Sequence, residues 1–458
     1  NLNTITSDIT NFKAKFTQNQ TFSGGLNSKA ALVAEDVTVI MAASLATGAN
    51  ITGDASTSGS GVGGSISITG LDGSAAFNFG SIQAGASGGG GSAGTVTAAF
   101  ASTAALNDST VLGNATVVVA DSAILTAAYS VLNGKTINHD GSESGQGVVV
   151  TIAASEASGD LANITSNITN FTARFTQTQT FSGSLNSKAA VVADSVVVTS
   201  SFTILNGRTI NHDGSESGQG VVVTLSSSEN TSNLNTITSD ITNFKAKFTQ
   251  TQTFSGGLNS KAALVAEDAV VSLSAALANG ANITGDAAAA SGTGGSIIVT
   301  GLDGAAAYNF NSLTAGGAGN GTIGSVKAKV AADVTLDSGV VLGAAIVELA
   351  ASVDLTAGYD VLNGKTVNYD TSESSQTLTI TISESEKAGN LANITSNLTA
   401  ASITARFTET QTFSGGLNGK AAVVADSVVV TSSYTILNGR TINHDGSESG
   451  QGVVVTIA

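Results

Sequence analysis

Phe12, Ala14, Phe16, Gln18, Gln20 and Phe22 share one parity along the chain, and Lys13, Lys15, Thr17, Asn19 and Thr21 the other. Such period-two alternation over about ten residues predicts a half-buried β-strand. It returns at Phe171, Ala173, Phe175, Gln177, Gln179 and Phe181, set against Thr172, Arg174, Thr176, Thr178 and Thr180. The inward glutamines suit either amide ladders between layers or a strand end near a rim, and the rim is the preferred reading. Further short strands are expected over 196–199, 203–205, 208–211 and 221–225, and over 64–71, 95–100 and 110–119. Asn-Gly pairs at Asn133, Asn206, Asn363 and Asn438 read as hairpin corners. The segment SEASGDLANITSNI reads as a short helix or an irregular corner. The Gly/Ser/Ala run over 84–94 reads as a flexible loop or a tight corner.

These patterns run through the chain twice, the second superrepeat opening at Asn233 as the first opens at Asn1. Residues 1–36 and 233–268 differ only at Asn19 against Thr251, and residues 195–224 and 427–456 only at Phe202 against Tyr434. Each superrepeat holds a long and a short unit, giving units at 1–160, 161–232, 233–390 and 391–458. The long unit shares its opening and closing with the short one and carries roughly 86 extra residues between them, at about 34–119. A framework that accepts such an insertion without change to its flanks suits a stack into which layers can be added. The expected fold class is therefore all-β, a repetitive β-solenoid, with tandem immunoglobulin-like sandwiches as the alternative. Units of unequal length without proline favour the solenoid. At about 4.8 Å per rung of roughly 20 residues, it would make a rod roughly 110 Å long. The chain starts at one point of its repeat and stops just before that point returns, which is expected of a window on a longer array.

Composition narrows the function classes. Thr, Ser, Ala, Val, Gly and Asn dominate, while Pro, Cys and Trp are absent. Without cysteine there is no disulfide framework, thiolate metal site or thiol nucleophile. A net charge of −16 with four arginines argues against nucleic acid, which calls for basic stripes. No run of about 18 apolar residues predicts a membrane-spanning helix.

The runs DLANITSNITNFTARFTQTQTFSGSL, ANITGDASTSGSGVGGSISITGLDG and ADSVVVTSSFTILNG resemble the Thr/Ala/Val/Gly-rich repeats of giant bacterial surface proteins, the large adhesins and extracellular matrix fibres. The likeness covers essentially the whole chain and is one of texture. It implies export to the cell surface, great full length, and a role in adhesion, matrix or coat. The tandem GGxGxDxUx calcium repeat of one such family is not present, so its calcium-roll mechanism is not carried over.

The strongest constellation is Asn-x-Asp-x-x-Glu in a recurring loop: Asn138, Asp140, Glu143; Asn211, Asp213, Glu216; Asn443, Asp445, Glu448; and, degraded, Asn368, Asp370, Glu373. Three oxygen-bearing side chains so close along a loop could ligate Ca²⁺. The same residues also suit a solvated Asp-Gly hairpin turn. The histidines, His139, His212 and His444, all lie in this loop, and Tyr369 replaces them in the fourth copy. A surface aromatic is the reading they favour. Sequons such as Asn163, Asn167, Asn170, Asn393 and Asn397 arise by chance in so Asn/Thr-rich a chain.

Three functions compete. A non-enzymatic extracellular fibre segment, self-associating or continued in a longer array, is preferred. A glycan- or surface-binding array would place its contacts in the insertions, around 55–64 and 80–94, which differ between superrepeats while the loop NHDGSESGQG is identical in three of four copies. A β-helix polysaccharide lyase or glycosidase needs one carboxylate pair in one cleft, usually with arginine or aromatic sugar platforms. Here the carboxylates are spread once per repeat, so an enzyme is not expected.

Overall fold

A computed structural model describes residues 1–26, 30–73, 75–258, 262–289, 291–304 and 306–457. The chain is β-rich, and it divides into two compact units: Asn1–Val222 with Thr236–Asn243, and Val223–Asn235 with Phe244–Ala458.

In the first unit, strands that alternate along the sequence go to alternate sheets. Lys13–Phe16, Ala30–Val33, Ile51–Gly53 and Ile82–Gln83 form one open sheet. A second contains Gln20–Phe22, Thr38–Ala42, Ser65–Thr69, Val96–Phe100, Thr116–Val119, Thr136–His139 and Thr165–Ser166. A third contains Ala104–Ala105, Ile124–Ala128, Gly147–Ile152, Phe171–Phe175, Ala189–Val192 and Ile210–His212. The second unit repeats the second arrangement from Gln252–Phe254 to Thr395–Ser396, and the third from Val334–Thr335 to Ile442–His444. The described strand pairs are parallel, as in Val150↔Ala173, Ala173↔Ala190 and Ala190↔Ile210. Parallel partners need a crossover, and here the crossover passes through a strand of another sheet. Immunoglobulin-like sandwiches are antiparallel, so these sheets do not match that alternative.

The length of chain between paired strands varies more than a fixed rung allows. Thr172 stands opposite Ala189, whereas Thr52 stands opposite Gln83, a step nearly twice as long. Added length leaves the strands and enters the corners. Inside, equal positions stack: Ala127, Val150, Ala173, Ala190 and Ile210 form one buried column through five strands.

Three local expectations are corrected. The single long strand is two strands in different sheets, Phe171–Phe175 and Gln179–Phe181, with a corner between them. Its alternation survives the corner because Phe175 and Phe181 both turn inward and meet edge to face, with centroids 5.1 Å apart. The inward Gln179 makes no amide ladder; its Nε2 donates at 3.0 Å to Ile152 O, on the strand that pairs with Phe171–Phe175. Second, the strand expected over 203–205 is a single helical turn, Phe202–Leu205, which buries Phe202 and Leu205 at i and i+3. Third, the Asn-Gly pairs close such turns rather than hairpins: Asn206 N–H bonds Phe202 O at 2.8 Å, and Gly207 then takes φ 70°.

The segment read as a helix or irregular corner holds two short 3-10 turns, Ala154–Glu156 and Leu161–Asn163. The Gly/Ser/Ala run is a tight corner: Gly85 N–H bonds Gly64 O, and Gly94 N–H bonds Gly85 O, both at 2.9 Å.

Candidate functional site

The recurring loop follows a short parallel strand, Thr136–His139 in its first copy and Ile210–His212 in its second, and leads to Gly147–Ile152 and Gly220–Leu225. Those flanking strands belong to different sheets, so the loop is a corner between sheets and not a hairpin.

The three oxygen-bearing side chains of each copy point to different partners. In the second copy, Asp213 Oδ2 reaches back to Arg174 Nε at 2.5 Å. Glu216 reaches forward, accepting from Thr242 N–H and Oγ1, both at 2.7 Å. Asn211 Oδ1 also reaches forward and accepts from Asp240 N–H at 3.4 Å. Glu143 repeats this on Thr169, with both bonds at 2.6 Å. Asp140 N–H bonds Val119 O, and its neighbour Asn138 stands in register with Val118. In the degraded copy, Asn368 accepts from Asn397 N–H, and Glu373 from Thr399 N–H and Ser402 Oγ. Asp370 N–H bonds Leu349 O. In the last copy, Asp445 pairs with Arg406 at 2.5 Å. Asn443 and Glu448 are exposed there.

This arrangement ties each loop to segments before and after it in the chain. It does not gather the three oxygens around a common centre. Among the described residues, no group of three or more His, Cys, Asp or Glu side chains is placed to hold a metal ion. The bonds from Thr169 lower the pKa of Glu143, the side-chain bond most and the backbone bond next; Thr242 does the same to Glu216. Backbone and side-chain bonds from Thr399 and Ser402 likewise lower Glu373. The histidines join this scheme through the backbone: His212 N–H donates to Asp240 Oδ1 at 2.8 Å, and its Nε2 lies 3.3 Å from Asp240 Oδ2. His139 N–H donates to Asn167, one of the sequon asparagines.

The residue that organises the loop from within was not singled out in the sequence. Gln146, fully buried, donates from Nε2 to Asp121 Oδ1 and Ser142 O, and its Oε1 accepts Ser144 N–H. Gln219 does the same with Asp194, Ser215 and Ser217. Gln376 keeps the two loop bonds in the copy where Thr371 replaces the glycine after the aspartate. That retention was the available signal: the sequence changes from DGSESGQ to DTSESSQ, yet the glutamine stays.

The insertions form a second candidate surface. Glu35 accepts from Thr57 N–H and Oγ1, and Asp36 from Val62 N–H, holding the first insertion loop. A groove of about 390 Å³ lies beside the second, lined by Gln83, Gly85, Gly94, Thr95, Asn114 and Thr116. Among the described residues, no helix is long and apolar enough to cross a membrane. No family model, curated protein or solved structure matches the chain.

Proposed function

We propose that the chain is a non-enzymatic structural segment of an extracellular fibre or cell-surface filament, its coils stacked as a β-solenoid. The observation that supports this reading most is the redundancy of the loop contacts: the same carboxylate, threonine and glutamine bonds join neighbouring coils in copy after copy. A site copied at every loop serves cohesion better than turnover. Imaging the native assembly by electron microscopy, with and without EDTA, tests the reading. A continuous rod with an axial spacing of about 4.8 Å is expected. Separate globular beads would sink it. Fraying on chelation would assign Ca²⁺ to the Asn-x-Asp-x-x-Glu loops.

A second reading is an adhesive array that engages glycans or surfaces through the insertions, with weak contacts multiplied by repetition. The groove beside Gln83 and Asn114 favours it. A glycan-array screen in which binding vanishes on exchange of residues 84–94 would support it.

A further inference from the structure

We propose that Asp140–Gly141 is a site of spontaneous backbone isomerisation, and that Arg174 protects the same dipeptide in the next loop, Asp213–Gly214. This modification goes beyond the fibre reading and does not depend on it. An aspartate before glycine is open to attack on its own side chain. The Gly141 nitrogen bonds to Asp140 Cγ, and the carboxyl hydroxyl leaves as water with the amide proton, giving a succinimide. Water then adds across either C–N bond of that ring. One opening restores aspartate; the other routes the main chain through Cγ as isoaspartate. No oxidant or reductant enters, and the mass of the chain is unchanged.

Sequence alone does not set the rate, because NHDGSESGQG is identical at 138–147, 211–220 and 443–452. The surroundings differ. Asp213 is clamped by Arg174 Nε at 2.5 Å, and Asp445 by Arg406 Nε at the same distance. Asp140 is exposed, and among the described residues no ion pair or hydrogen bond engages its carboxylate. Strand register explains the difference. Arg174 and Asn211 stand opposite Val191, one on each side. Around Val118 the equivalent positions are Ala99 and Asn138. Ala99 therefore occupies the place of the protecting arginine. The backbone differs as well: Gly214 and Gly446 take φ 81° and 82°, whereas Gly141 does not adopt the left-handed region. A side chain free to turn reaches the attacking geometry more often than a clamped one. Asn133, Asn206 and Asn363, each before a glycine, are held in the same manner by the hydroxyls of Tyr129, Thr236 and Tyr359, at 3.1, 2.6 and 3.0 Å.

Prolonged incubation of the full chain at neutral pH, followed by tryptic mapping with isoaspartate detection, tests the assignment. Trypsin releases the first two loops on separate peptides, 136–174 and 209–245. Isoaspartate is expected to accumulate about tenfold faster at Asp140 than at Asp213. In urea the two rates should converge, because only the fold distinguishes them. Arg174→Ala should raise the Asp213 rate to that of Asp140, and Ala99→Arg should lower the Asp140 rate about tenfold. Each exchange reads one loop, so loss of folding in one, seen by circular dichroism, leaves the other decisive. A Cβ on Gly141 would meet nothing within 4 Å, so Gly141→Ala should slow Asp140 without disturbing the loop or Asp213. Equal rates in the folded chain, a difference that survives urea, or a folded arginine variant whose rate does not move overturns the assignment.

Discussion

One methyl group measures how closely neighbouring segments approach. A Cβ on Gly85 would lie 1.9 Å from Asp54 O and 2.7 Å from Gly64 N, both backbone atoms that cannot swing aside. Gly316 stands in the same place, 1.9 Å from Asp286 O. Gly85→Ala is therefore expected to cost about 1–3 kcal/mol, the usual range for overpacking. Urea titration followed by circular dichroism would read it, and an unchanged midpoint would refute the close approach. Ser195 presents the opposite case. It holds φ 60° so that its N–H reaches Ser217 O at 2.8 Å, and Ser122, Ser352 and Ser427 do likewise. Left-handed backbone strains a side chain, and glycine relieves the strain at a smaller entropic cost. Ser195→Gly should therefore raise stability by about 0.5 kcal/mol; a lowered melting temperature would contradict this.

The loops are where elements are joined, and they contain bonds of unequal strength. Asp213 and Arg174 are each about one-third exposed, so solvent screens their ion pair. Asp213→Asn is expected to cost about 0–1 kcal/mol. Gln219 is itself fully buried, and Gln219→Ala should cost about 2–3 kcal/mol by removing three loop bonds worth about 0.5–1.5 kcal/mol each. Comparing the two denaturation midpoints checks that order. Acid should act through the glutamates. The bonds from Thr242 lower the Glu216 pKa in the folded chain, so the stability it contributes is present above the unfolded value of about 4.3. That stability is lost as pH falls through the lower folded value. Hydrogen exchange at Thr242 and Thr169, corrected for intrinsic rates, should quicken over that range, and Glu216→Gln should abolish the pH dependence at Thr242.

Strand positions were legible because alternation is a local property; Phe171–Phe175 and Gly220–Leu225 follow directly from it. Corners were not, because a chain can turn between sheets without breaking parity, as it does between Phe175 and Phe181. Helical turns hid for a related reason: Phe202 and Leu205 mark one turn by only two residues. The loop carboxylates were visible as a cluster, but their partners lie 26 or 39 residues away, beyond what spacing along the loop reveals. Gln219 gives no such signal, because an amide in a polar loop looks like surface.

At the scale of the whole chain, stability should follow nearest neighbours. Deleting residues 1–232 leaves the second superrepeat with its own column of buried side chains. Repeat proteins of this kind behave as sums of unit and interface terms. The shortened chain should melt within a few degrees of the full one while its denaturant slope falls roughly by half, since the slope scales with area exposed. A collapse of the melting temperature would show long-range dependence instead.

The near identity of 1–36 with 233–268 has a consequence for inheritance. Recombination between two such tracts removes or duplicates one whole superrepeat, and every junction it creates is one the protein already contains. No new packing problem has to be solved, and no misfolded intermediate length arises. Length can therefore change in whole superrepeats while each copy keeps its own fold.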